Sequence, residues 1–283
     1  MSERLDVKKT YKLVVNGAFV RSESGRSYEV TSAHGKFLAN VAQASRKDLR
    51  DAVVAARGAH AKWWGTTAYN RGQVMYRWAE MAESRRAELV EHVGLAEGLK
   101  KKDAQLSVGR AIDRIVWYAG WTDKVTQVLG GANPVAGPFF NFSLPVPSGV
   151  IGVVAPQESS LEGFVEAVAA PMCVGNSVVA LASELRPTPA VILAEMTATS
   201  DFPGGVLNVL TGFTGELVAH VAMHEDVDGI DITGSGDLAD ELSRLAAGSI
   251  KRVYRERAND DGNPLRRLRT FVETSTVWHT IGQ

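Results

Sequence analysis

Between residues 149 and 247 the chain alternates four short apolar runs with four helix-like segments, and this alternation most constrains the fold. The runs are rich in β-branched residues and lack polar alternation, as expected of strands that are buried on both faces. Repeated strand–helix–strand units predict an α/β fold with a parallel sheet and right-handed crossovers. The predicted strands cover 149–155, 177–182, 205–211 and 227–233, and the predicted helices cover 160–172, 187–199, 215–224 and 236–247.

The flanking segments predict further elements. Asn16-Gly17, inside the strand-like stretch 12–20, is a strong two-residue hairpin signal. Ser45 and Asp48 resemble a capping box before an amphipathic helix. Aromatic and polar residues alternate over 139–146, between Gly- and Pro-rich neighbours, and predict an edge ribbon. Residues 270–282 form one more strand pattern with no neighbouring partner in sequence, so this strand must join another sheet.

Composition excludes several classes of function. The net charge of −1 predicts no strong attraction to nucleic acid or to an anionic membrane. No apolar run reaches the roughly 18–20 residues of a membrane span. Residues 1–10 are charged and lack the apolar core of a signal peptide. The single cysteine excludes an intrachain disulfide, so a cytoplasmic location is expected. The arginine-rich run 252–269 is interpreted as a solvated linker rather than a nucleic-acid site.

Several residues are candidates for chemistry. The turn 156–160, Pro-Gln-Glu-Ser-Ser, follows a predicted strand and precedes a helix, where α/β proteins bind ligands. Residues 234–239 match G-x-G-x-x-A, a weak dinucleotide motif, although Asp237 disfavours a phosphate there. His220 and His224 are spaced as a metal pair, but no third ligand is evident, so no metal site is expected. Cys173 lies in an apolar stretch and is expected to be a buried structural thiol.

Six ordered segments resemble the NAD(P)-dependent aldehyde dehydrogenases. They are YKLVVNGAFVRSESGRSYEV, DLRDAVVAARGAHAKWW with NRGQVMYRWAEMAESRRAELV, PSGVIGVVAPQESSLEGFVEAVAAPMCVGNSVV, HEDVDGIDITGSGDLADELSRLAAGSIKRV and the tail ETSTVWHTIG. The resemblance implies a Rossmann-type domain and a small β oligomerisation flap. On this basis residues 1–130 and 148–257 are assigned to the Rossmann-like region, and 131–147 and 266–283 to the flap.

The family's catalytic domain is expected to be absent. In the family it follows a glutamate in an E-L-G-G motif and carries the nucleophilic cysteine. Glu256 aligns with that glutamate, but its surroundings read RERAND, and the terminal strand begins soon afterwards. Residues 258–265 are therefore predicted to be a linker that replaces the domain. Cys173 precedes Glu256 and cannot be the family nucleophile.

The remaining motifs are degenerate. The family's P-W-N-F-P turn is Pro-Gln-Glu-Ser-Ser here, so Glu158 replaces the asparagine that donates to the oxyanion. Loss of one such donor typically lowers the rate about 10²–10³-fold. Leu181 replaces the ribose-binding lysine of K-P-A-E. The resemblance leaves a vestigial set of cofactor-binding residues: Pro156, Gln157, Glu184, Gly212, Thr233, Gly234 and Ser235. We expect no cofactor, although weak NAD(P) binding stays open.

Together these patterns predict a non-catalytic aldehyde-dehydrogenase-like subunit with a structural or regulatory role. Its partner would be a second copy or a full-length family member, bound through helix 236–247 and strand 270–282. The alternatives are a nucleotide-binding regulatory module and, less favoured, an active NAD-dependent aldehyde oxidoreductase.

Overall fold

The computed structural model describes residues 9–256 and 263–282. The strands are β1 (Thr10–Tyr11), β2 (Leu13–Val15), β3 (Ala18–Val20), β4 (Ser27–Thr31), β5 (Phe37–Ala42), β6 (Gly131–Asn133), β7 (Phe139–Pro147), β8 (Val150–Val154), β9 (Ser177–Leu181), β10 (Leu207–Leu210), β11 (Gly229–Asp231), β12 (Arg252–Tyr254) and β13 (Val272–Thr280). The α-helices are α1 (Arg46–Gly65), α2 (Ala68–Ser84), α3 (Arg86–Glu97), α4 (Lys101–Ala119), α5 (Val125–Leu129), α6 (Glu162–Cys173), α7 (Thr188–Glu195), α8 (Thr214–Met223), α9 (Ala239–Ala247) and α10 (Pro264–Thr270).

The predicted parallel sheet is confirmed. Seven strands are ordered β12-β11-β8-β9-β10-β2-β3, and the five from β12 to β10 run parallel. Each central strand is buried on both faces, because Ile151 and Val153 join one core cluster while Val150 and Val154 join the other. This two-sided burial explains why the strands carry no polar alternation.

The N-terminal predictions are also confirmed. β2 and β3 form a hairpin around Asn16 and Gly17, whose φ values are 53° and 72°. Two central residues with positive φ are the requirement of a type I′ turn. Ser45 and Asp48 form the capping box at the start of α1, each accepting from a backbone N–H of the other.

The end of the fourth predicted strand differs from the expectation. Residues 227–233 were expected to be a strand and 236–247 a helix, but β11 ends at Asp231. A 3₁₀ turn follows over Thr233–Leu238, and α9 begins only at Ala239. Gly236 has φ 53° and ψ −129°, which interrupts any continuous helix there. The glycines that suggested a phosphate loop therefore shape a tight 3₁₀ turn.

The terminal strand finds its partner inside the same chain. β13 pairs antiparallel with β7 over nine residues, from Val272↔Pro147 to Thr280↔Phe139. These strands belong to a three-stranded sheet, separate from the seven-stranded one, with the order β13-β7-β6. β7 is therefore its central strand and not the predicted edge. We call this sheet the flap. The expectation that this strand has no partner nearby in sequence and joins another sheet is confirmed, because its partner β7 lies more than a hundred residues earlier in the chain.

The segment before β13 is more ordered than the linker interpretation of 252–269 allowed. Residues 258–262 of the predicted linker lie outside the described residues, but α10 begins at Pro264, with Asn263 accepting from the Leu265 N–H as its N-cap. Leu268 and Phe271 are fully buried against the main core. Residues 264–271 thus pack on the parallel-sheet region, whereas the flap had been expected to begin at 266.

Candidate functional site

The carboxyl ends of the parallel strands gather the candidate residues, and Gln157 bridges two of these ends. Its Nε2 donates to the Ala155 carbonyl (3.0 Å), and its Oε1 accepts from the Glu184 N–H (2.8 Å). The Ser183 hydroxyl donates back to the Gln157 carbonyl at 2.9 Å. All polar groups of the Gln157 side chain are therefore used to join the turn after β8 to the turn after β9.

Glu158 projects away from this junction into solvent. Its side chain is 84% exposed and forms an ion pair with Arg186 at 2.8 Å. Arg186 also donates to the Glu158 carbonyl at 2.7 Å. Further along the turn, the Ser160 hydroxyl and N–H both donate to one oxygen of Glu97. The turn is thus fixed by charged groups on its two sides, and its carboxylate is solvated.

Glu184 occupies the start of α8. Its Oε2 accepts from the Thr214 N–H at 2.9 Å, so a protein carboxylate already sits where an anionic ligand could bind. The Tyr28 hydroxyl donates to the Glu184 carbonyl (3.0 Å), and burial, together with the charge of Glu184, raises the pKa of Tyr28 above its ordinary value. The helix terminus is therefore satisfied from within the chain.

The Thr233-Gly234-Ser235 turn is likewise internally bonded. The Thr233 hydroxyl and N–H both donate to Asp231 Oδ1, at 2.6 and 3.0 Å, and the Ser235 hydroxyl donates to the Ile232 carbonyl at 2.6 Å. A Cβ added to Gly234 would lie 1.8 Å from the Ala155 carbonyl oxygen. The glycine is therefore required by close backbone packing against the end of β8.

The most buried charges at this edge of the sheet were not anticipated. Asp231 is fully buried, and Arg267 from α10 is 4% exposed. Arg267 Nε lies 2.8 Å from Asp231 Oδ2, an ion pair whose N–H is not aligned for a hydrogen bond. Arg267 also donates to the Thr233 hydroxyl at 3.1 Å and lies over the Tyr254 ring. The signal in the sequence was a lone aspartate within an apolar strand, which requires a counter-ion.

Glu166 extends this network along α6. It pairs with Arg114 at 2.8 Å and accepts from the Tyr118 hydroxyl at 2.8 Å. Burial, reinforced by Glu166, holds the pKa of Tyr118 well above its ordinary value. A cleft of about 320 Å³ opens beside these groups, and Pro156, Ser159 and Glu256 line it. The structure thus brings Glu256 close to the 156–160 turn but leaves Glu158 outside the cleft.

The remaining candidates lie elsewhere. Cys173 is fully buried at the end of α6, as expected, and burial raises the pKa of its thiol, which disfavours a thiolate. It does not line the cleft. His220 and His224 line a separate surface groove with Arg46 and Arg50. Across residues 9–256 and 263–282 no group of three metal-ligating side chains occurs.

Chemically, most polar groups at this edge of the sheet are bonded within the chain. Asp231, Glu166 and Glu184 pair with arginines or backbone N–H groups, and the hydroxyls of Ser183, Thr233 and Ser235 donate to nearby oxygens. Thr214 Oγ1 has no hydrogen-bond partner among the described residues. Among those residues, no sulfur-containing side chain lines the cleft. The fold and the polar turns at the strand ends define a Rossmann-type α/β protein.

Within that class, the Aldehyde dehydrogenase family model matches residues 19–260, and the chain belongs to this family. It is 32% identical over 260 residues to the putative aldehyde dehydrogenase DhaS of Bacillus subtilis, covering 90% of this chain and 52% of that protein. It is 34% identical over 259 residues to retinal dehydrogenase 2 of Gallus gallus, covering 89% and 49%.

Solved structures agree with the sequence comparison. An NAD-dependent aldehyde dehydrogenase from Sinorhizobium meliloti superimposes with a TM-score of 0.84 at 28% identity, covering 88% of this chain and 50% of that one. An NAD⁺ complex of aldehyde dehydrogenase from Bacillus cereus gives 0.83 at 28% identity, covering 88% and 51%. The chain spans about half the length of these relatives. None of the helices in the described ranges is long and apolar enough to cross a membrane.

Proposed function

We propose that this chain is a non-catalytic, aldehyde-dehydrogenase-like subunit with a structural or regulatory role in an oligomer. Its partner is a second copy or a full-length family member, and its location is the cytoplasm. We call the carboxyl ends of the parallel strands, with the turns 155–160, 182–186 and 232–238, the ligand edge. The observation that carries the proposal is the contrast between this edge and the flap. At the ligand edge most polar side chains bond to other groups of the same chain, whereas the flap exposes apolar side chains and a strand edge that no described strand pairs with.

The flap offers both an apolar face and a free strand edge. Directly opposed residues of an antiparallel pair share one face, and Phe142↔Val277 is such a pair. Side chains alternate along a strand, so one face of the flap carries a row of apolar groups: Phe140, Phe142, Leu144, Val146 and Val277. No strand of the described chain pairs with the outer edge of β13. An exposed edge with apolar side chains favours pairing with another chain.

The second proposed contact lies around α9. Ile250 follows this helix, is 94% exposed and has φ 56°. A β-branched residue in the left-handed region has a strained backbone, and a fully exposed side chain makes no packing contacts that would offset this strain. Burial against a partner would give this side chain the packing that the isolated chain does not provide.

The test is the mass of the protein in solution, by light scattering, alone and after co-expression with a full-length family member. We expect a dimer or mixed oligomer, and Val277→Asp should shift it toward the monomer. Tyr69→Asp is the matched control, because Tyr69 is 66% exposed but lies on α2, away from the flap. A strictly monomeric chain in both settings would contradict the proposal.

The same proposal includes little or no cofactor affinity. The side chains of Gln157, Glu184, Thr233 and Ser235 already bond to protein groups, so a nucleotide would have to displace these bonds. Titration calorimetry with NAD and with NADP at millimolar concentration should give no binding heat. A saturable heat would instead favour the nucleotide-binding regulatory module.

A further inference from the structure

A second open surface lies along α3 and is unrelated to the flap. A groove of about 910 Å³ runs between α3 and the start of α4, with Val90, Leu95 and Leu99 along its length. A pocket of about 530 Å³ adjoins it beyond Leu95, and the two share His34 and Glu91. Together they form one continuous depression along the outer face of α3, which we call the α3 groove.

The floor of the α3 groove is apolar, and two of its side chains, Val90 and Leu99, are partly buried against the main core. The inner residues Leu89 and Val93 are fully buried and hold the helix in place. On the outer face Leu95 is 38% exposed, and Phe37, in the adjoining pocket, is 39% exposed. A helix that is apolar on both sides is normally covered on both sides. The outer face therefore has the character of a surface that binds a partner.

The rim of the groove carries uncompensated positive charge. Lys36 and Lys101 line the groove at its two ends, and neither forms an ion pair with any residue of the described chain. The exposed Lys100 and Lys102 flank Lys101. Two nearby acids already form ion pairs, since Glu83 pairs with Arg86 and Glu88 pairs with Arg85. Glu97 accepts hydrogen bonds from Ser160, and Glu91 and Asp103, which form no ion pair with a described residue, oppose the four lysines.

This local excess is distinctive because the whole chain is balanced, with 31 basic and 32 acidic residues. An apolar floor with a basic rim is complementary to a segment that has apolar side chains on one face and carboxylates beside them. The length of α3, 12 residues, corresponds to about 18 Å at 1.5 Å per residue. A groove of that length between two helices accommodates a third helix of similar length.

We propose that the α3 groove binds an acidic amphipathic helix of a partner protein. Apolar side chains spaced i, i+3, i+4 and i+7 would contact Val90, Leu95 and Leu99. Flanking carboxylates would approach Lys36 and Lys101. This interaction does not depend on the flap, so it stands or falls independently of the oligomer proposed above.

The probe is a fluorescein-labelled synthetic helix with leucines at i, i+3, i+4 and i+7 and glutamates on both flanks. A matched peptide carries lysines in place of the glutamates. Fluorescence anisotropy with the full chain should show saturable binding of the acidic peptide, weakened by added salt, and at least about tenfold weaker binding of the basic one.

Two variants locate the binding. Leu95→Asp should weaken the acidic peptide at least about tenfold, as expected for an apolar contact at the centre of an interface. Leu106→Asp is the matched control, since Leu106 is 53% exposed on α4 but does not line the groove. The double variant Lys36→Glu, Lys101→Glu should reverse the preference between the two peptides. Circular dichroism checks that each variant is folded.

Three results would overturn the proposal. One is equal affinity for the acidic and basic peptides, which would indicate non-specific apolar adsorption. Another is unchanged binding to Leu95→Asp. The third is a loss of self-association in Leu95→Asp by light scattering, which would assign the groove to a second copy of this chain.

Discussion

The ligand edge of the parallel sheet buries and bonds most of its polar groups, whereas the flap leaves apolar side chains exposed. At the ligand edge, Arg267 and Asp231 are buried against each other. The turns after β8 and β9 bond to each other, and Thr233 in the turn after β11 bonds to Asp231 at the end of that strand. In the flap, Phe140 is 51% and Trp278 62% exposed, and the outer edge of β13 has no described partner.

This difference indicates which surfaces the chain can offer to other molecules. A satisfied, buried polar network is costly to open, because each group would lose a partner before gaining another. An exposed apolar face costs nothing to open and gains free energy when it is covered. Under the proposed function, the ligand edge serves as scaffold, and the flap and the α3 groove are the surfaces proposed for association.

The largest expected effect comes from removing the buried counter-ion. Arg267→Met leaves the fully buried Asp231 without a counter-ion, and breaking a buried pair in this way typically costs about 3–5 kcal/mol. Urea denaturation of the variant should therefore show a much lower free energy of unfolding.

The matched variant is Arg252→Met. Arg252 pairs with Glu273 between β12 and the flap, where both side chains are substantially exposed, 39% and 50%. Such surface pairs contribute about 0–1 kcal/mol. Equal losses in the free energy of unfolding for Arg252→Met and Arg267→Met would contradict the comparison. They would show that the ion pair of the ligand edge stabilises the fold no more than the exposed pair beside the flap.

A smaller loss in the free energy of unfolding is expected when a methyl group is added inside the turn after β11. Gly234→Ala places a methyl group against the Ala155 carbonyl, and overpacking of this kind typically costs about 1–3 kcal/mol. Gly58→Ala should instead stabilise α1 by roughly 0.5–1 kcal/mol, since nothing lies near its added Cβ. Thermal melts of the two variants measure the contrast, and a stable Gly234→Ala protein would show that the turn is loosely packed.

The flap should tolerate substitution in the isolated chain. Val277 is 38% exposed on the apolar face, so Val277→Asp is expected to change the free energy of unfolding by less than about 0.5 kcal/mol. Its effect belongs to association, as tested above. A loss of several kcal/mol in the monomer would mean that the flap is part of the folded core.

The smallest expected effect is a pH dependence of the free energy of unfolding. It comes from two histidines outside the ligand edge and the flap. Burial lowers the pKa of His60 and His92 in the folded state, and the Nδ1 atom of each has no hydrogen-bond partner among the described residues. Below the ordinary histidine pKa of about 6.5 the unfolded state takes up protons first, so stability decreases as pH falls through that value. Denaturation at a series of pH values should show this decline, and His92→Gln should reduce it. A steeper decline in His92→Gln would contradict the assignment.

Much of the architecture was predictable from local pattern. The four strands of 149–233 and the capping box at Ser45 follow from periodicity and turn chemistry, and all were found. The boundaries after Asp231 were mispredicted, because the glycines of that turn fit a 3₁₀ turn as well as a helix start.

What the sequence could not determine depends on contacts between distant residues. The apolar runs and helix signals of this chain suffice for an α/β sheet, since burial on both faces dictates their composition. Only the tertiary structure decided that β13 lies beside β7, that Arg267 neutralises Asp231, and that Glu158 faces solvent. Each of these facts joins segments separated by tens to more than a hundred residues, or sets a side-chain direction, and neither property leaves a periodic signal in the chain.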